Sequence, residues 1–91
     1  MSVLHESMRP MIAPVAWEMI QTLEKQIRAN MDSIGCDALV KMVTKLKLGF
    51  TSVIHVSIQF AHDVKESPHA EAYRVEIRRL FHVAHAEIHG I

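Results

Sequence analysis

The sequence predicts an all-α domain of three helices in up-down-up order that dimerises into a larger helical bundle. Apolar residues recur at three- and four-residue steps along most of the chain, and Pro14, Gly35, Pro68 and Gly90 stand at the edges of those stretches. Hydrophobic residues make up 49% of the chain and aromatics only 5%, so the core is expected to be aliphatic and methionine-rich, a composition that suits packed helices.

At 91 residues and 10.3 kDa there is room for one domain with a modest core, since so short a chain hides only about 60–65% of its unfolded surface. The expected organisation is an N-terminal arm, 1–13, followed by a single helical domain, 14–91. The first helix is expected over 14–31. Pro14 suits a first turn, and Ala16, Trp17, Ile20, Leu23, Ile27 and Met31 form its apolar face. Trp17, Met31 and Met42 read as core filling, with Glu24 and Arg28 as an i,i+4 pair on the outer side. Met8 and Met11 precede the periodic pattern and suggest a docking arm.

The segment from Cys36 to Glu66 supports two readings. Ile54, Val56, Ile58 and Phe60 alternate with His55, Ser57 and Gln59, so a strand at 52–60 is the main alternative, paired between protomers as a two-stranded ribbon. A helical register organises the whole segment, about thirty residues, with Ser57 the one polar residue on its apolar arc and Gly49 as a point where it could kink. The helix is the reading adopted. Pro68 then marks a turn, and a third helix is expected from about His69 to His89, with Ala70, Tyr73, Ile77, Leu80, Phe81, Ala84 and Ile88 facing inward.

Ten Lys and Arg balance ten Asp and Glu, so no whole-chain field recruits nucleic acid, and such a partner is not expected. Lys41, Lys45, Lys47, Arg74, Arg78 and Arg79 read as solvated faces. Near-zero charge with a mean hydropathy of +0.12 favours self-association, most simply a two-fold homodimer. Cys36 is the sole cysteine, which excludes an intrachain disulfide. No signal-type apolar run opens the sequence, and the stretch from Leu48 to Ala61, which carries no Asp, Glu, Lys or Arg, falls short of the roughly 20 residues of a spanning helix. A cytoplasmic location without membrane association is therefore expected.

Among seven histidines, His82, His85 and His89 lie within about 60° of arc on the third helix, away from its apolar face. His85 and His89 are four apart, as are His62 and Glu66, a spacing that aims two ligands at one transition metal. Cys36, near the start of the second helix, adds a candidate thiolate, although a lone cysteine more often fills a core. The candidate metal ligands are thus His82, His85, His89, His62, Glu66 and Cys36, for Zn, Ni, Co or Cu; no other cofactor is expected. In a hairpin turning near Ser67, position 62 lies beside about 73, while 85 and 89 lie beside about 50 and 46. The two pairs therefore cannot share one site in one chain, and a four-ligand site needs two copies. The reading preferred over a metal site is a solvated or subunit-interface face that happens to use His; a further alternative is a pH switch that charges the face below about pH 6.5.

Cys36 and His62, with His5 upstream and an apolar rhythm at Val40, Val43, Leu46, Val53 and Ile58, resemble the small copper-, nickel- and formaldehyde-responsive repressors. Those proteins carry a Cys at the start of a long second helix and a His near its end. Lys47, Leu48, Gly49 and Phe50 replace their Arg-Gly-rich signature, the Cys-to-His interval is about a residue long, and the basic balance is missing. The likeness does not amount to membership.

No CxxC, HExxH, GxSxG or P-loop pattern occurs, so an enzyme is not expected. The function expected is that of a small non-enzymatic interaction or regulatory protein, binding a protein partner as a homodimer. The alternatives are a transition-metal-binding sensor or metal-responsive transcriptional regulator, and an enzyme with a dimer-interface site.

Overall fold

A computed structural model describes Leu4 and residues 6–49 and 51–90. His5 and Phe50 lie outside the described residues. Among the described residues a 3-10 turn, Glu6–Met8, precedes four helices: α1 (Pro14–Ala29), α2 (Ser33–Leu48), α3 (Val53–Asp63) and α4 (Ala70–His89). The described residues contain no strand.

Four helices replace the predicted three because the 36–66 segment breaks in two. Gly49 takes a left-handed conformation (φ 75°) and its N–H returns to the Leu46 carbonyl at 3.1 Å, which closes α2. Ser52 is extended and its Oγ accepts the His55 N–H at 3.2 Å, which opens α3. The strand alternative at 52–60 is likewise overturned, since these residues enter α3. Val56 and Phe60 are buried while Ile58 stays 59% exposed, so the alternating apolar residues do not share one face. Ser57 is buried on the apolar arc, its hydroxyl satisfied by the Val53 carbonyl at 2.7 Å.

Two expectations for α1 also change. The helix stops at Ala29, and Met31 adopts a left-handed conformation (φ 51°) while the Asp32 N–H reaches back to Ile27 O at 3.3 Å. Met31 is consequently 91% exposed and not part of the core. Glu24 is buried, not on an outer face, and accepts the Leu4 backbone N–H at 2.8 Å. Leu4 joins the core, and Met8, Ile12 and Ala13 pack partly against it. Met11 alone of that stretch's large apolar residues projects fully.

Cross-helix contacts fix an up-down-up-down order. Arg74 donates to Ala61 O at 3.2 Å, while Ala84 and Ile88 share a groove with Val53 and Ile54, so α3 and α4 run antiparallel. Lys41 pairs with Asp63 at 3.5 Å while Lys45 shares a cleft with His55 and Gln59, which makes α2 antiparallel to α3. Asn30 meets Tyr73 at 3.3 Å while Ala16 lies near Ala84, which sets α1 against α4. The ring closes through α1 and α4 around Ile20, Leu23, Ile27, Leu39, Val43, Phe60, Tyr73 and Leu80, each at most 1% exposed.

Candidate functional site

One buried polar cluster lies where three segments meet. Asp32 caps α2: its Oδ1 accepts the N–H groups of Ile34 (3.0 Å) and Gly35 (3.2 Å). Its Oδ2 accepts the Ser67 hydroxyl from the α3–α4 connection and the Tyr73 phenol from α4, the latter at 2.8 Å. Ser67 Oγ in turn accepts the His69 N–H at 3.0 Å. Burial pushes the Asp32 carboxyl up, but the bonds from Ser67, Tyr73, Gly35 and Ile34 outweigh it and leave the group below its ordinary value. Burial pushes Tyr73 up, and its bond to Asp32 adds to the rise. The sequence signal for this cluster, an Asp immediately before a helix, is visible, but its distant partners are not.

Cys36 is half-buried in the first turn of α2, with its own N–H already bonded to Asp32 O at 3.0 Å. Burial, with the carboxylates of Asp32, Asp37 and Glu24, raises its thiol above the ordinary value. The group therefore stays protonated at neutral pH, which disfavours both a nucleophile and a thiolate ligand.

The expected metal candidates are spread over the molecule. His62 sits on α3, exposed, with the Lys65 ammonium 3.4 Å from its Nε2, a cation that opposes a metal there. Glu66 is exposed beyond the end of α3. His82, His85 and His89 are all exposed on α4, as the helical angle predicts. Within that stripe His85 and His89 come together with ring centroids 4.2 Å apart, while the His82 ring lies edge-on to Phe81 at 5.8 Å. Phe81 also stacks on His85 at 6.2 Å and 21°. Among the described residues, no three His, Cys, Asp or Glu side chains converge as a metal cage.

Beside the histidine face runs an apolar seam between α3 and α4. A groove of about 220 Å³ is lined by Ile58, Ala61, Ile77 and Phe81, with Arg74 and Arg78 at its margin. At the open end of the bundle a second groove, about 740 Å³, is lined by Met11, Ile12, Val53, Ile54, Ala84 and Ile88, with Ile88 64% exposed. Neither groove is lined by Asp32, Cys36, Ser67 or Tyr73. No described helix is long and apolar enough to cross a membrane.

No family model matches the chain, and no curated protein or solved structure matches it.

Proposed function

We propose that the protein is a non-enzymatic interaction module that acts as a homodimer, burying the α3–α4 seam against a second copy. The observation that carries this reading is the exposure of Ile58 in a groove walled by Ala61, Ile77 and Phe81: large apolar side chains rim a helix pair whose inner faces are already satisfied by the core. Such a surface gains free energy when covered, at about 25 cal/mol per Å². The chain's formal neutrality removes the charge repulsion that would otherwise oppose self-association. Against an enzyme stands the saturation of Asp32, whose oxygens are engaged by four structural donors.

Sedimentation equilibrium tests the reading. The expected mass is twice the 10.3 kDa chain at micromolar concentration, falling to one chain in Ile58→Glu with helicity unchanged. A monomer at about 100 µM, well above the concentration at which a standard-sized interface associates, overturns it.

A further inference from the structure

We propose that His85 and His89 form a two-imidazole site for a transition-metal dication, selective in the order Cu²⁺ over Ni²⁺ over Zn²⁺. Six candidate ligands reduce to this pair because only these two rings are already together, 4.2 Å between centroids and tilted by 34°. A metal held at 2.0–2.1 Å by two imidazole nitrogens puts the ring centroids about 4.5 Å apart for a right-angled pair and about 5.2 Å apart for a tetrahedral pair. The observed separation needs a few tenths of an ångström for the first geometry and about an ångström for the second. Right-angled nitrogen pairs suit Cu²⁺ and Ni²⁺, whereas Zn²⁺ prefers the tetrahedron, and intrinsic affinity places Cu²⁺ above both of the others.

Two further features point to a cation at this place. His89 is the last residue of α4, where the unpaired carbonyls of the final turn give the helix end a partial negative charge. Phe81, itself half-buried, stacks on the His85 ring and holds it, which lowers the entropy lost on chelation. The two ligands lie within one chain, so the site does not depend on dimerisation. Water completes the coordination sphere, and the open positions leave the metal accessible to a further donor.

Calorimetric titration of the 91-residue chain with CuSO₄, NiCl₂ and ZnCl₂ in separate runs at pH 7.5 tests the site. One Cu²⁺ per chain is expected, with Ni²⁺ and then Zn²⁺ weaker. His85→Ala and His89→Ala should each weaken Ni²⁺ binding by at least about tenfold, while His82→Ala and His62→Ala leave it within about twofold. Circular dichroism of each variant confirms that the exposed substitutions leave the helices intact. Cu²⁺ electron paramagnetic resonance should show two coupled imidazole nitrogens. Absence of Ni²⁺ binding at millimolar metal, a preference for Zn²⁺, or binding that follows His82 in place of His85 overturns the proposal.

Discussion

The Tyr73 phenol donates to the Asp32 carboxylate at 2.8 Å, so a side chain of α4 is tied to the turn that joins α1 to α2. Ser67, from the connection before α4, bonds the same oxygen, and the carboxylate faces the α2 N–H groups with its other oxygen. One buried acid thereby joins three stretches of chain.

Removing the phenol should therefore cost more than an ordinary hydrogen bond. Tyr73→Phe keeps the ring in the core and deletes a bond to a charged acceptor, an expected loss of about 1.5–3 kcal/mol. In a domain of this size that lowers Tm by roughly 6–24 °C. Ser67→Ala should behave similarly, and the double variant should lose more than the two single losses added, because either donor alone still partly satisfies the buried oxygen they share. Thermal melts of the three variants decide this; strict additivity would argue against a shared acceptor.

Acid should unfold the protein through the same carboxylate. Asp32 and Asp63 both have lowered values in the folded chain. For Asp63 burial acts upward but is outweighed by the Gln59 bond and the Lys41 charge. Their contribution is fully present above the ordinary Asp value near 3.9 and is lost as pH falls through the folded values. Cys36 and Tyr73 shift upward, so their contribution is present below about pH 9 and is lost as pH rises further. Urea midpoints across pH 2–11 should form a plateau with an acid limb starting near pH 4; Asp32→Asn should flatten that limb.

Gly35 should resist substitution although it lies inside a helix. A Cβ there would stand 3.1 Å from two Ile27 carbons and from Tyr73 Cε2. Ile27 is fully buried and Tyr73 is held by hydrogen bonds, so neither can give way cheaply. Alanine's helix advantage of about 1 kcal/mol is expected to be overturned by overpacking, for a net loss of about 1–2 kcal/mol. Denaturant titration of Gly35→Ala, with and without Ile27→Val, checks this: partial rescue by the smaller neighbour is the expected signature.

Met31→Gly should stabilise the fold. Met31 holds a left-handed conformation with its side chain in solvent, so it pays backbone strain and returns little packing. Glycine at this position after α1 removes the strain at some cost in unfolded-state entropy, for a net gain of about 0.5–1 kcal/mol. A Tm that fails to rise would show that Met31 makes up the difference elsewhere.

The sequence carries the fold class because its inward positions keep a helical period: Ile20, Leu23, Ile27 and Tyr73, Ile77, Leu80, Ala84 are buried as their spacing requires. It also carries the exposure of His82, His85 and His89, a matter of angle alone. The break at Gly49 is harder to see, since one glycine can either be tolerated inside a helix or end it, and the choice is made when Ser52 caps the next helix. Met31 continues the apolar rhythm yet leaves the core, because the chain must turn before Asp32 can cap α2. What periodicity cannot supply is long-range partnership: Asp32 finds donors 35 and 41 residues away, and the closeness of the His85 and His89 rings depends on rotamers.

The pairing of α1 with α4 has a consequence for how the chain is made. Trp17, Ile20, Leu23 and Ile27 leave the ribosome before α4 does, yet α1 packs far more extensively on α4 than on α2. The nascent polypeptide must therefore carry an incompletely covered apolar stripe until residues 70–89 have been synthesised, an interval in which a holdase chaperone has a surface to grip.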